Sequence, residues 1–164
     1  MVDLHADVAA FQEKFGFKPR ALGARPSKKL LAFRLKFILE EVEELADALK
    51  RDDLAGVLDA LIDLVYVAIG TAWLLNLPFN SGWRLVQAAN MTKVRATDPT
   101  ASKRGSDLDV VKPVGFVPPD IKSLLPAEDS NLLVKDASAS ETQLDLIDYI
   151  NNLQQQGATE CAGS

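Results

Sequence analysis

Between Leu54 and Leu75 the chain carries a long apolar segment interrupted by two acids, Asp59 and Asp63. A helix formed by this segment would have apolar residues on every side, which is the pattern of a fully buried helix. The two acids lie four residues apart and therefore share one face of that helix. Because a buried carboxylate without a partner costs several kcal/mol, the rest of the chain must supply counter-charge. The segment therefore predicts a buried helix whose acids pair with basic side chains or bind a divalent cation.

The helix predicted before it carries a second group of acids, in the run from Glu40 to Glu44. Glu40, Glu41 and Glu44 lie within about 100° of one another around a helix. Phe33 and Phe37 fall in the same sector. An acidic run is often only a solvated face, but such a face rarely carries two phenylalanines. We expect a helix packed on two sides, one of which holds carboxylates.

Two helices that each present acids can together form a site made only of oxygen ligands. Such ligands favour Mg²⁺, Mn²⁺ or Ca²⁺ over zinc, and the chain has one histidine and one cysteine. No calcium-binding EF-hand loop occurs in the sequence. Mg²⁺ typically binds a few carboxylates and completes its shell with water and substrate phosphates. The acids therefore indicate a nucleotide or another phosphorylated ligand, with a structural ion pair as the alternative.

The whole sequence divides by composition into a helical core, a proline-rich arm and an acidic tail. Apolar residues make up 48% and charged residues 25%, as in an ordinary soluble protein. Helical periodicity and capping residues predict an all-α core without a sheet before residue 100. In the arm we expect one strand pair, Val110-Val111 with Phe116-Val117. The predicted domains are 1–96, 97–126 and 127–164, and the predicted helices are 4–15, 28–50, 54–75, 82–94 and 141–154.

The net charge of -5 is unevenly distributed: residues 1–96 sum to +1 and residues 97–164 to -6. No clustered basic face is visible, so we do not expect a nucleic-acid partner. No apolar stretch reaches the roughly 18 uncharged residues of a membrane span, and the N-terminus lacks the apolar region of a secretory signal. These features predict a cytoplasmic protein without a membrane partner.

The acids carry a resemblance to the MazG-like, all-α nucleoside triphosphate pyrophosphohydrolases. The motif of that family is Glu-x-x-Glu on one helix and Glu-x-x-Asp on the next. Glu41 and Glu44 match the first half, Glu40 matches an acid that often precedes it, and Asp63 matches the final aspartate. Ala60 departs from the pattern, and Asp59, one residue earlier, is the substitute on the same face.

Two further segments resemble one branch of this family, the phage and bacterial relatives of phosphoribosyl-ATP pyrophosphohydrolase. One is Asn90-Met91-Thr92-Lys93 on the predicted fourth helix, where Asn90 and Lys93 would share a face. The other is the arm from Lys112 to Ile121, which contains Pro118-Pro119-Asp120. The resemblance extends over about residues 4–125.

The resemblance implies hydrolysis between the α- and β-phosphates of a nucleoside triphosphate, with two or more Mg²⁺ or Mn²⁺ ions that orient the phosphates and make a bound water more acidic. It assigns three groups of residues. The catalytic group is Glu40, Glu41 and Lys93, with Glu40 as a ligand or base. The metal ligands are Glu41, Glu44, Asp63 and Asp59. The substrate-binding group is Asn90, Lys93, Tyr66 and Lys112.

Four helices cannot easily cover an all-round apolar helix, so burial against a second copy is expected. The resemblance likewise implies a homodimer or tetramer, with the arm and tail helix against the neighbour. The expected substrate is a deoxypurine triphosphate such as dGTP, in the host cytoplasm if the chain is phage-encoded. The alternatives are a dUTP or dCTP pyrophosphatase, a phosphoribosyl-ATP hydrolase, and a non-catalytic helical interaction module with a structural metal site.

Overall fold

The computed structural model describes residues 2–21, 24 and 26–126, and in them the predicted all-α fold is confirmed. A two-stranded sheet and two short 3-10 segments, Pro99–Ala101 and Lys122–Leu124, follow the helices. The helices are α1 (Leu4–Lys14), α2 (Lys28–Lys50), α3 (Leu54–Leu74) and α4 (Phe79–Asn90), and the strands are β1 (Val94–Arg95) and β2 (Val110–Val111).

The first three helices begin where side-chain caps predict, and their bounds agree with the prediction to within one residue. In each, an oxygen of the residue before the helix accepts a hydrogen bond from a backbone N–H of the first turn, which would otherwise lack a partner. The capping pairs are Asp3 with Ala6 (3.1 Å), Ser27 with Leu30 (3.2 Å) and Asp53 with Gly56 (3.0 Å).

Helix α3 lies at the centre and contacts α1, α2 and α4. Its C-terminal half is largely covered: Ile69, Ala72 and Trp73 are buried. Its N-terminal half is not, since Leu58 is 61% exposed and Ile62 is 53% exposed. Among the described residues, none of the other helices covers the outer side of its first turns, and burial of that side against a second copy stays a prediction.

By length and composition alone, α3 also passes the test for a membrane-spanning helix. One such helix is weak evidence, because the core helix of a soluble protein passes the same test. Helix α3 carries Asp59 and Asp63 and contacts three other helices, as a core helix does.

Helix α4 begins and ends earlier than the predicted range of 82–94. It starts at Phe79, directly after Pro78, whose φ of -75° already suits a first helical turn. It ends at Asn90 because the chain then turns, with the Thr92 hydroxyl donating to the carbonyl of Ala89 at 2.7 Å. Lys93 therefore lies beyond the helix, and the prediction that Asn90 and Lys93 share a helical face is wrong.

The strand pair also differs from the prediction. Val110–Val111 pair antiparallel with Val94–Arg95 instead of with Phe116-Val117, so a strand does occur before residue 100. Phe116 instead closes a turn, in which its N–H donates to the carbonyl of Pro113 at 3.1 Å. Pro118 and Pro119 have no N–H to extend a ladder beyond that turn.

The predicted tail helix at 141–154 lies outside the described residues. The domain boundaries at residues 96 and 126 stay predictions.

Candidate active site

The acids of α2 and α3 face each other across two neighbouring cavities. Glu41 and Asp63 line the first, which has a volume of about 330 Å³. Glu44 and Asp59, one helical turn further along each helix, line the second, of about 260 Å³. The other lining residues of the first cavity are Phe11, Gln12, Arg34, Phe37, Tyr66 and Val67, and those of the second are Asp47, Ala48, Arg51, Gly56 and Ala60.

The pKa of Glu41 records how closely these acids approach. Burial raises that pKa most, and the neighbouring charges of Glu44, Asp63, Glu40 and Asp59 raise it further, in that order. The two predicted acid groups therefore form one electrostatic cluster, although they come from different helices. Glu40 lines neither cavity, and its Oε1 atom lies 3.8 Å from the ammonium of Lys36, so it sits at the margin of the cluster.

Within the described part of the chain, no lysine or arginine forms an ion pair with Glu41, Glu44, Asp59 or Asp63. Asp59 is exposed and Asp63 is half-buried. These acids therefore open onto cavities instead of being enclosed, and the structural ion pair left open by the sequence does not occur among the described residues.

The donor set fits a hard divalent cation. Carboxylate oxygens are the ligands that Mg²⁺ and Mn²⁺ prefer, and Glu41, Glu44, Asp63 and Asp59 offer eight of them along the two cavities. Across residues 2–21, 24 and 26–126, no three acidic, histidine or cysteine side chains are already grouped to ligate one ion. Binding a cation would therefore require these side chains to come closer together than they lie here.

Tyr66 lies in the cavity with Asp63, as predicted, and its ring meets that of Phe11 edge-on at 5.3 Å. Two polar residues that line this cavity were not predicted: Gln12 on α1 and Arg34 on α2. Arg34 is seven residues before Glu41, which places both on one helical face, and this spacing could have identified it. Nothing in the sequence singles out Gln12, because only the packing of α1 on α3 brings it to the cavity.

Three of the four residues predicted to bind the substrate are not brought to the acids within one chain. Asn90, Lys93 and Lys112 line neither cavity. Asn90 is exposed at the end of α4, and Lys93 is half-buried in the following turn. The Lys112 ammonium lies 5.1 Å from the centre of the Phe116 ring.

Comparison with known families gives one match, over residues 8–90, to the phosphoribosyl-ATP pyrophosphohydrolase family. The matched segment covers 83 of the 164 residues, slightly more than half. The chain belongs to the phosphoribosyl-ATP pyrophosphohydrolase family. This family is part of the MazG-like, all-α superfamily of nucleoside triphosphate pyrophosphohydrolases, so the resemblance predicted from the acidic motif is confirmed. No curated protein matches the chain.

The match to the phosphoribosyl-ATP pyrophosphohydrolase family includes all of α2 and α3 and both cavities. Helix α3 is thus the core helix of a helical enzyme family. The family implies a nucleotide substrate, a pyrophosphohydrolase reaction and, typically, dependence on Mg²⁺. Lys93 and Lys112 lie outside the matched residues.

Proposed function

We propose that this chain is a metal-dependent nucleoside triphosphate diphosphohydrolase, which cleaves between the α- and β-phosphates to give a nucleoside monophosphate and pyrophosphate. One observation carries the proposal: Glu41, Glu44, Asp63 and Asp59 line two cavities and form no ion pair with a lysine or arginine among the described residues. Triphosphates reach proteins as complexes with Mg²⁺, so uncompensated carboxylates beside an open cavity suit such a ligand.

In this proposal Glu41, Glu44, Asp63 and Asp59 hold the metal ions. When bound, Mg²⁺ or Mn²⁺ supplies positive charge to the phosphates and makes an adjacent water more acidic. Glu40 accepts the proton of the attacking water, a role open to it because it lies at the margin of the cluster. Tyr66, which lines the first cavity, donates a hydrogen bond to the nucleotide.

We infer that the phosphate-binding residues come from a second copy of the chain, in a homodimer or tetramer. Asn90, Lys93 and Lys112 line neither cavity of their own chain. The α2–α3 surface also exposes a group of large apolar side chains, as subunit interfaces do. That group is Val42, Leu49, Leu58, Leu61, Ile62 and Val65.

The test is a substrate panel: ribo- and deoxynucleoside triphosphates and phosphoribosyl-ATP, each with Mg²⁺ or Mn²⁺, with the products separated by ion-exchange chromatography. We expect monophosphate and pyrophosphate from a deoxynucleoside triphosphate, with dGTP preferred and dUTP or dCTP as the alternatives. Turnover of phosphoribosyl-ATP alone would instead identify the reaction that gives the family its name.

The matched variants are Glu41→Gln and Glu43→Gln, on the same helix. Glu43 is exposed, lines neither cavity and does not affect the pKa of Glu41. We expect Glu41→Gln to lower kcat/KM at least about 100-fold and Glu43→Gln to leave it unchanged. Absence of turnover on every substrate would refute the enzyme and favour the helical interaction module.

A further inference from the structure

The first cavity holds two polar groups that the proposed hydrolysis does not use. Gln12 is only 6% exposed, and Arg34 only 8%. Both line the cavity that also contains Glu41 and Asp63. The polar atoms of residues so deeply buried usually form hydrogen bonds with the protein. Any of these atoms that lacks such a bond therefore indicates what kind of ligand the cavity could bind.

Gln12 has no such partner. Its side-chain amide makes no hydrogen bond with the part of the chain that the structure describes. Among those residues, no fully enclosed side-chain nitrogen or oxygen lacks a partner, so the amide atoms must reach open space. Gln12 lines the first cavity, which supplies such space. A buried glutamine that presents a free donor and a free acceptor to a cavity is placed to bind a ligand.

Arg34 is only partly satisfied. Its Nε donates to the Thr71 hydroxyl at 3.0 Å and its Nη2 donates to the carbonyl of Val67 at 2.9 Å. Its Nη1 makes no hydrogen bond with the described residues, and by the same reasoning it is not enclosed. The two bonds fix the guanidinium to α3, so that its remaining N–H groups are held at the cavity wall.

Aromatic rings supply the rest of the wall. Phe11, Tyr66 and Phe37 line the cavity, and the guanidinium of Arg34 lies 5.3 Å from the centre of the Phe37 ring. Aromatic walls with a few fixed polar groups are typical of sites that bind a flat heterocycle. Along α2, Arg34 and Glu41 are about 10 Å apart at 1.5 Å per residue, which leaves room for a sugar between a base at one end and phosphates at the other.

We propose that this cavity is a nucleobase pocket for bases that carry a ring carbonyl beside a ring N–H, and that Gln12 and Arg34 recognise that edge. Guanine, uracil and thymine share this edge. A guanidinium has only donors, so it pairs with the carbonyl oxygen, while the amide oxygen of Gln12 accepts the ring N–H. Adenine and cytosine place an amino group where the carbonyl would be, and that group would face the Arg34 donors.

The inference rests on the proposed function, because it assumes that the ligand beside Glu41 and Asp63 is a nucleotide. Its test therefore uses binding without catalysis. The affinities of dGMP, dUMP, dAMP and dCMP for the full chain are measured by calorimetry in Mg²⁺, because a monophosphate has no α–β bond for the proposed reaction to cleave. We expect dGMP or dUMP to bind about ten-fold more tightly than dAMP and dCMP, and the tighter of the two identifies the base.

The diagnostic variant is Gln12→Leu, which keeps the volume of the side chain and removes the amide. It should lower the affinity for the preferred monophosphate about ten-fold and leave dAMP binding unchanged. Gln87→Leu is the matched control, since Gln87 is exposed on α4 and lines neither cavity. If Gln12→Leu does not fold, Gln12→Asn withdraws the amide from the base edge by one methylene group.

Equal affinities for the four monophosphates, no binding of any of them, or an unchanged preference in the Gln12 variant would each overturn the inference. Hydrolysis of triphosphates without base preference would do the same while leaving the proposed function standing. Conversely, selective binding of dGMP or dUMP by a chain that hydrolyses no triphosphate would support the pocket and refute the hydrolase.

Discussion

Among the acids of the site, Glu41 is the one whose pKa is raised by all the others. Its carboxylate belongs to α2, yet two of the charges that raise its pKa, Asp63 and Asp59, belong to α3. Burial is the largest cause of the raised pKa, and the packing between the two helices adds to it. A cluster of this kind destabilises the folded chain when all its members are ionised, because like charges repel.

The first prediction follows from the sign of that shift. Without metal, the pKa of Glu41 is higher in the folded chain than in the unfolded chain. Between the pKa of Glu41 in the unfolded chain, about 4.5, and its higher pKa in the folded chain, the folded state binds more protons than the unfolded state. The free energy of unfolding therefore falls as pH rises through this range and becomes constant above the pKa of the folded chain. We expect Glu41→Gln to be more stable than the wild type at pH 7, by less than about 1 kcal/mol because water screens half-buried charges, and to lose this advantage at pH 4.

Thermal unfolding in EDTA between pH 4 and pH 8 measures this difference. Glu43→Gln removes a charge from the same helix without relieving the cluster, so its pH dependence should follow the wild type. Identical pH profiles for the two variants would show that Glu41 carries no electrostatic strain.

Gly70 is the second residue whose identity bears on the site. A Cβ at this position would lie 2.8 Å from Nε2 of Gln12, too close for contact, and 3.5 Å from Nη2 of Arg34. The absence of a side chain is therefore what allows the Gln12 amide to rest against α3.

We predict that Gly70→Ala changes base selectivity more than stability. Alanine favours a helix by about 1 kcal/mol, which offsets much of the cost of moving the amide, so the free energy of unfolding should change by less than about 1 kcal/mol. The preference for dGMP or dUMP over dAMP should fall. Gly82→Ala is the control on α4: its Cβ would meet Ile121 and Leu124 at 3.9 Å, and selectivity should be unaffected. Unchanged selectivity in Gly70→Ala would contradict the role assigned to Gln12.

At the scale of elements, the tight connection between α2 and α3 aligns the two acidic faces. The chain reverses between Arg51 and Asp53, with Asp52 in the left-handed region at a φ of 52°. Asp53 then caps α3. Because the connection is so short, the register of Glu41 against Asp63 depends on this turn.

We predict that Asp53→Ala lowers the free energy of unfolding by about 1 kcal/mol, the usual value of an N-cap. Asp52→Asn removes a negative charge from the neighbouring position, and asparagine tolerates the left-handed conformation. This control should therefore change the free energy of unfolding little. Urea unfolding of the two variants provides the comparison. Equal losses would mean that the effect comes from charge instead of from the cap.

Local signals explain which elements could be predicted from the sequence. The bounds of α1, α2 and α3 could be predicted from the helical spacing and from the capping residues Asp3, Ser27 and Asp53. Both signals act within a few residues of the chain. The partner of β2 could not be found in this way, since Val94 and Val111 pair across an intervening loop. The acids of the site were predictable from their spacing, whereas Gln12 was not, because its contribution depends on how α1 packs on α3.

At the scale of the whole molecule, two features of the described residues favour assembly with a second copy. A group of large apolar side chains on α2 and α3 faces water, including Leu58 and Ile62. The residues expected to bind phosphates also stay away from the acids. A symmetric dimer would resolve both at once if the interface that covers the apolar face also brought Lys93 of one copy to Glu41 of the other.

Complementation between two inactive variants tests this arrangement. Glu41→Gln and Lys93→Ala should each be inactive alone. In a hybrid dimer with shared sites, one site carries both substitutions and the other carries neither. Since half of the randomly mixed dimers are hybrids, the mixture should regain about a quarter of the wild-type activity. Activity is measured after unfolding and refolding the mixed chains together.

The result depends on which chain supplies each group. If Glu41 and Lys93 of the same chain formed each site, every site in a hybrid would carry one substitution, and mixing would restore nothing. The exposed α2–α3 surface provides the control. Ile62→Glu, added to both chains, would place a charge in the interface and should abolish the recovery, while Val114→Glu, on the exposed arm, should not. Recovery that survived Ile62→Glu would mean that the copies assemble through another face.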